Sequence, residues 1–476
     1  MALTTLGLFL AACLGSQDAP AEQPSPRVLF LTHSAGFVHS VVRRPEDGSL
    51  AHAERALVAA AGDRMQVDCT QDCSEVFGGG LEDYDAVVFY TTGELPSTPE
   101  QREGLLAWIR GGGAFIGVHC ATDTFYEFKP YQQMIGGVFN GHPWHEEVDI
   151  NVEDTDHPAT CHLGEKFRIT DEIYQFRDYS RYPLHVLASL DGEAVDLSRG
   201  ARGDDDYALS WCKPYGQGHV FYTALGHRED VWEDDRFLEH LMAGIEWAID
   251  GPAPMVPPPA GATVLFDGVD SQAGWTTRRE AERLMREGAE ADRSLENHGG
   301  EPSGWRVEGN EFVVVPGTGD SVSRMAFDGD FLLHVEFQVP PTPETNGWQA
   351  RGNSGVYVQG RYEVQVLDSL GREMRAGDCG AIYGKHIPPV DACRPAGTWQ
   401  SYDIEFRSPR FDPGSGNKTE NARMTVWQNG VLLHDDVEVD GPTAASMGGP
   451  ELGFGPLLLQ DHGHPVRYRN IWLLAR

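Results

Sequence analysis

The sequence predicts two domains of different class: an α/β domain on a parallel sheet, then an all-β antiparallel sandwich of jelly-roll type. Three observations carry this. The chain has 476 residues, more than one ordinary core organises. From Arg27 to Asp250, continuous apolar runs alternate with helix-forming stretches, as in a sheet covered on both faces. From Trp305 the pattern changes to short runs alternating at period two between turn signals. The proline-rich stretch 251–262 reads as a linker, so the domains span 27–250 and 263–476.

Ahead of the first domain, Leu3 to Ala12 is an apolar run too short to span a bilayer. It ends Leu10-Ala11-Ala12-Cys13, which resembles a bacterial lipobox, whose cysteine is lipidated. Residues 1–13 are therefore expected to be a lipoprotein signal peptide and 14–26 a tether. No Lys or Arg precedes the run, a departure from the usual signal pattern. The expectation is an exported protein, in the periplasm or on the outer membrane, meeting a membrane only through a lipid anchor. The net charge of −35, with no basic patch, argues against a nucleic-acid partner. In an oxidising compartment disulfides are expected, and Cys379 with Cys393, flanking one loop, is the candidate pair. No Cys-x-x-Cys occurs, which speaks against a structural zinc site.

In the first domain, Val28–Thr32, Ala86–Tyr90, Ala114–Val118 and Gly218–Ala224 read as buried strands. Glu46–Ala61 reads as a helix, and Asp234–Ile249 as a closing amphipathic one. Thr98-Pro99-Glu100 supplies a cap, a first-turn proline and an acid for a helix to Arg110, stopped by Gly111-Gly112-Gly113. Sites on such sheets lie beyond the carboxyl ends of the strands. Histidines gather there: His33 and His39 after the first strand, His119 ending Gly117-Val118-His119, His142 and His145 in the irregular middle, and His227 after the last strand. Imidazole serves both proton transfer and metal binding, so these six mark a candidate cleft.

Thr32-His33-Ser34-Ala35-Gly36-Phe37-Val38-His39, Gly113 to His119, Asp156-His157-Pro158, Asp171-Glu172-Ile173-Tyr174 and Gly216 to Tyr222 together resemble the trehalose-utilisation (ThuA-like) family over roughly 27–250. The resemblance implies a flavodoxin-like, class I glutamine-amidotransferase-like fold and a link to sugar metabolism. It does not imply amidotransferase chemistry. That needs a Cys on the strand-to-helix elbow and a downstream His-x-Glu pair. Here His119 holds the elbow position and Cys120 stands one step beyond, so Cys120 reads as a packing residue rather than a nucleophile with His227 and Glu229.

In the second domain, Arg278–Asn297 is charged and reads as a helical excursion. Phe312–Val315, Phe331–Val339, Gly355–Val358, Tyr362–Asp368, Ser401–Arg407, Arg423–Gln428, Val431–Asp435 and Arg467–Leu474 read as strands, with Asn429-Gly430 a hairpin turn. Tyr357 to Asp368 reads as two strands joined at Gln359-Gly360. Alternation places Glu363 and Gln365 on one face and Val364 and Val366 on the other. Glu363-x-Gln365-x-x-Asp368 resembles in outline the acid strand of jelly-roll β-glucanases. A five-residue offset puts Glu363 and Asp368 on opposite faces unless a bulge intervenes, and Gln365 replaces the central acid.

A wider match is similar to the 3-keto-disaccharide hydrolase family over about 263–476. It rests on Asn353 to Tyr357, Tyr362 to Asp368, Gly380 to Gly384, Pro395 to Trp399, Trp427 to Gly430, Leu459 to Gly463 and Tyr468-Arg469-Asn470-Ile471. It implies a concanavalin-like sandwich and cleavage of glycosides whose C3 hydroxyl has become a ketone. A C3 ketone acidifies the C2 proton, so one base suffices to start elimination of the C1 substituent, and water then adds. Glu363 is the expected base and His462 the expected acid. Arg351, Asn353, Gln365 and Lys385 are expected to hold sugar oxygens or the enolate, Tyr383 to stack on a sugar face, Gln460 to bind substrate, and Asp368 to bind a metal or act as a second acid. No cofactor is assigned, and a divalent metal is left open. The partner implied is a small oxidised sugar or glycoside, supplied by a separate glycoside 3-dehydrogenase. The alternatives are a non-catalytic carbohydrate-binding surface lipoprotein and a conventional glycosidase using Glu363 and Asp368.

Overall fold

The computed structural model describes residues 25–286, 300–343 and 347–476. The expected signal segment with Cys13, nearly all of the tether, and the helical excursion beyond Arg286 lie outside the described residues.

The first domain is built on a nine-stranded sheet. Its strands run in the order Gln66–Thr70, Arg27–Leu31, Ala86–Phe89, Ala114–Val118, Gly218–Thr223, Ala208–Tyr215, His185–Leu190, Trp144–Val152 and Lys166–Ile173. The first five are parallel, as the apolar runs predict. The other four are antiparallel, which the sequence reading did not anticipate. Ala208–Tyr215 and Gly218–Thr223 are joined only by Gly216 and Gln217, and two residues can close a hairpin but not a parallel crossover.

The helix expected from Glu46 begins at His52. The Glu54 carboxylate accepts from Ala51 N at 2.8 Å and pairs with Arg44 at 2.9 Å, which fixes the start of the helix. The Pro99–Arg110 helix opens as predicted, with reciprocal bonds between Thr98 and Gln101. Asp235–Asp250 buries Phe237, Leu241, Ile245 and Ala248.

The second domain is a two-sheet sandwich. One sheet orders Arg306–Glu308, Glu311–Val313, Arg467–Ala475, Phe331–Gln338, Gln400–Arg407, Ala422–Gln428 and Val431–Val439, with Thr263–Phe266 also pairing to Arg467–Ala475. The other orders Trp275–Thr277, Ser321–Asp328, Phe454–Leu459, Ser354–Val358 and Tyr362–Val366. Two interior strands of this second sheet, Ser321–Asp328 and Phe454–Leu459, carry an interrupted apolar signal. Ser323 and Arg324 are buried in the first, and Gly455 and Pro456 interrupt the second. In the first, Ser323 Oγ donates to Met325 O at 2.6 Å and accepts from Leu457 N at 3.0 Å, so its hydroxyl is satisfied without water.

The domains dock through the Asn429-Gly430 turn. A Cβ on Gly430 would stand 2.2 Å from Pro214 O. The Lys213 ammonium donates to Gly430 O at 3.3 Å, and Arg394 donates to Gly216 O at 2.8 Å. Cys379 and Cys393, expected as a disulfide, are free thiols that share the Gln428 Nε2 donor at 3.4 Å each. Both are fully enclosed in the sandwich core, where Tyr402 and Ser369 give the sulfurs hydroxyl neighbours.

Candidate functional site

Two polar constellations stand out, one per domain. In the sandwich, the hairpin Ser354–Val358 to Tyr362–Val366 turns at Gln359 and Gly360, whose φ angles are +51° and +65°. Val356, Val358, Tyr362, Val364 and Val366 enter the core between the sheets. Tyr357 and Glu363 pair across the strands, as do Gly355 and Gln365, and the period of two gives these four the outer face. The helix Arg278–Arg286 covers that face, packing Ala281 and Leu284 with Tyr357, Met447 and Leu458.

Glu363 is 3% exposed. Its carboxyl is pushed up to about 8, first by burial; a hydrogen bond with the Tyr357 hydroxyl opposes the rise and the charge of Asp320 adds to it. Gly355 makes room for the carboxylate: a Cβ there would stand 2.4 Å from Glu363 Oε1. The Tyr357 hydroxyl accepts from Gln460 Nε2 at 3.1 Å. Asp320 pairs with Arg278 at 3.1 Å and accepts from Asp461 N at 2.9 Å. Tyr357, Asp320 and Arg278 were not singled out as site residues from sequence. Only the fold brings these three distant segments together.

The other expected residues divide. Gln365 Nε2 donates to Asn353 Oδ1 at 3.0 Å, and Asn353 Nδ2 donates to Gln349 at 2.8 Å. Tyr383 N donates to Glu363 O at 3.0 Å, and its ring lies with Trp348 around Gly377. Gln460 reaches the Glu363 network through Tyr357. His462 is exposed on the turn just after it. Arg351, by contrast, is bound to Asp368 at 2.6 Å, and Lys385 to Asp440. The strand ends at Val366, and its pairing with Ser354–Val358 shows no bulge. The geometry that would bring Asp368 to the face of Glu363 is therefore missing.

In the first domain, His39, His119, His227 and Glu172 bring one ligand atom each to within 4.8 Å of one another. His119 occupies the elbow after Ala114–Val118 with φ +47°, a left-handed conformation that costs a non-glycine residue on the order of 1–3 kcal/mol. Its Nδ1 lies 2.7 Å from Ala224 O, which can only accept. The His119 tautomer is thereby set, with Nε2 free for the cluster. Glu172 ends Lys166–Ile173, the edge strand, and the neighbouring Asp171 accepts from Gly226 N at 2.7 Å. Desolvation raises the Glu172 carboxyl, but His119 and His227 outweigh it and hold the group well below the usual range. Burial first, then the charges of His119 and His227, push His39 down to about 3, so it stays neutral.

His142 and His145 lie at the open side, 3.3 and 3.8 Å from Glu172 Oε1. His33 points elsewhere, with Nδ1 2.8 Å from Gln71 O. Glu172, the hub of the cluster, was not among the expected site residues, although Asp171-Glu172 was noted as a motif. Two adjacent acids at a strand end gave a signal, but nothing local says that one of them meets three histidines. Cys120 is fully buried and its thiol is pushed well up by desolvation, which suits packing and not nucleophilic attack.

Residues 27–248 match the ThuA family, described as trehalose utilisation, and residues 261–474 match the 3-keto-alpha-glucoside-1,2-lyase-like domain family. Among solved structures, a protein from Parabacteroides distasonis provisionally described as a glycosyl hydrolase is 34% identical. The match covers 47% of this chain and 93% of that one, with a TM-score of 0.38. Provisionally described ThuA-like proteins from Parabacteroides merdae and Bacteroides uniformis are 18% and 21% identical. Each match covers 49% of this chain, with 93% and 95% of theirs and TM-scores of 0.38 and 0.37. The search of curated proteins gave no match.

Proposed function

From the premise that this chain is a fusion of a ThuA domain and a 3-keto-alpha-glucoside-1,2-lyase-like domain, a carbohydrate enzyme, we propose that it cleaves 3-keto-glycosides with Glu363 as base. The observation that carries this reading is Glu363 itself: a buried carboxyl, raised to about 8, beside a tyrosine hydroxyl, in the room that the missing side chain of Gly355 leaves for it. A base of that strength is suited to a carbon acid that a neighbouring ketone has activated.

The Glu363 carboxylate takes the C2 proton, the C–H electron pair forms a C2–C3 double bond, and the carbonyl π pair moves onto the C3 oxygen as an enolate. The enolate collapses, a C1–C2 double bond forms, and the C1 substituent leaves with a proton from an acid, for which exposed His462, two residues beyond Gln460, is the candidate. Water adding at C1 then turns elimination into net hydrolysis. Gln460 Nε2, which donates one hydrogen to the Tyr357 hydroxyl, carries a second that can serve the enolate oxygen. Pairing of Asp368 with Arg351 disfavours the conventional two-carboxylate route, which needs a second carboxyl facing the sugar.

The substrate requires prior oxidation at C3, a hydride transfer that this chain is not proposed to perform, so a separate 3-dehydrogenase is its expected partner. Export through the lipobox at Cys13 would set that exchange outside the cytoplasm. The deciding experiment offers one disaccharide in its native and 3-keto forms to the full chain. Cleavage of the 3-keto form alone supports elimination. Equal cleavage of both forms removes it, and binding without turnover leaves a carbohydrate-binding role.

A further inference from the structure

We propose that His39, His119, His227 and Glu172 form a mononuclear site for a divalent ion of the zinc class, whose open side takes an oxygen of a keto sugar. The spacing of the ligand atoms is the first argument. His227 Nδ1 lies 3.3 Å from His119 Nε2 and 3.1 Å from Glu172 Oε2, and His119 Nε2 lies 3.5 Å from the same oxygen. Four ligands at the ~2.0–2.1 Å bond lengths of zinc, placed tetrahedrally, are separated by about 3.3 Å. Three atoms thus already outline one face of such a tetrahedron.

Protonation is the second argument. Because His119 Nδ1 donates to Ala224 O, the neutral form of the ring, the form a metal takes, offers Nε2 as a lone pair. A ligand histidine with its other nitrogen bound to a carbonyl is how proteins orient imidazole toward a metal. That lone pair faces the Glu172 carboxylate and the nitrogen of His227. A single proton on His227 Nδ1 can satisfy only one of them, whereas a cation satisfies all three. His39 stands against the same group, its ring 5.1 Å from His119 and 5.2 Å from His227, and its buried Nδ1 has no hydrogen-bond partner. Three imidazoles and one carboxylate favour zinc-class ions over magnesium or calcium, which prefer all-oxygen shells.

The ligand class follows from the surroundings. Glu172 Oε1 turns to His142 and His145, which are half exposed, so the cluster opens to solvent on that side. Phe37, 65% exposed, packs edge-on to His39 at 4.8 Å and presents an apolar ring at the mouth. A sugar can lay its apolar face on such a ring while an oxygen reaches the metal. A metal-bound carbonyl oxygen would be polarised, and His142 and His145 are placed to exchange a proton beside it. The sugar half of this inference rests on the function proposed above; the metal half does not.

The test uses the full chain, stripped with a chelator, reloaded with zinc(II) or cobalt(II) alone, and freed of excess ion by gel filtration. Elemental analysis should find one ion per chain, with cobalt giving the intense visible bands of a tetrahedral site. Glu172→Gln and His227→Ala should each weaken retention at least tenfold, while His33→Ala should retain the ion as the parent does. Circular dichroism checks that each variant is folded. Absence of stoichiometric metal in the parent, or full retention in the folded Glu172→Gln, His227→Ala double variant, overturns the site. Adding a 3-keto-glucose should shift the cobalt bands; unchanged bands overturn the sugar ligand while leaving Glu363 chemistry to its own assay.

Discussion

Gly355 and Glu363 share one face of a hairpin, and a Cβ on Gly355 would lie 2.4 Å from Glu363 Oε1. The contact is with the far end of a side chain, so Gly355→Ala should fold and push the carboxylate aside. A misplacement near 1 Å can cost about a hundredfold in rate. The expected outcome is a kcat lower by roughly that factor with near-parental thermal unfolding. Parental kcat on a 3-keto-glycoside would show that the carboxylate position does not matter.

Glu363→Gln keeps the shape and removes the base. Cleavage of the 3-keto substrate should fall by about 10²–10⁴, the usual worth of a general base, while sugar binding measured by calorimetry is retained. Undiminished turnover would remove Glu363 from the mechanism.

The raised carboxyl of Glu363 makes two linked pH predictions. Because the base form dominates only above about 8, kcat/KM should climb with pH and level off near that value. Stability runs the other way. The folded state holds this proton more tightly than an unfolded glutamate with the ordinary value of 4.5. The contribution is complete below 4.5 and is lost as pH rises through about 8, at up to about 1.4 kcal/mol per unit. Melting curves of the parent and Glu363→Gln should therefore converge or cross across that window. Parallel curves would show that the carboxyl is not raised.

Gly430 has φ +73°, and its Cβ would meet Pro214 O at 2.2 Å, a backbone atom that cannot swing away. Gly430→Ala should cost more than about 1 kcal/mol and loosen the docking of the domains, read by thermal unfolding and by proteolysis between them. An unchanged melting profile would mean that the turn is not held against the first domain.

Much of the fold is legible in the chain. The buried parallel strands, the capped Pro99–Arg110 helix and the Gln359-Gly360 hairpin follow from local rules of period, capping and turn chemistry. The antiparallel half of the first sheet was not legible, because its signal is the brevity of one connection and not the composition of its strands. Ser321–Asp328 was missed because buried Ser323 and Arg324 interrupt its apolar pattern, and the groups that accommodate them, Leu457 N and Ala273 O, are far away in the chain. The candidate sites divide in the same way. Glu363, Gln365 and five histidines of the cleft were nameable from pattern and position. Glu172, Tyr357 and Asp320 were not, since each owes its place to a contact more than forty residues distant or to a cross-strand neighbour.

The sequence by itself determined that there are two domains, which class each takes, and which strand carries the acid and the amide, because periodicity and turn residues act over a few positions. Tertiary structure alone decided that Asp368 belongs to Arg351, that Lys385 belongs to Asp440, and that a carboxylate from the edge of a sheet closes on three histidines. Those pairings depend on which surfaces are brought together and stripped of water, and burial of that kind sets the strength of Glu363 as well.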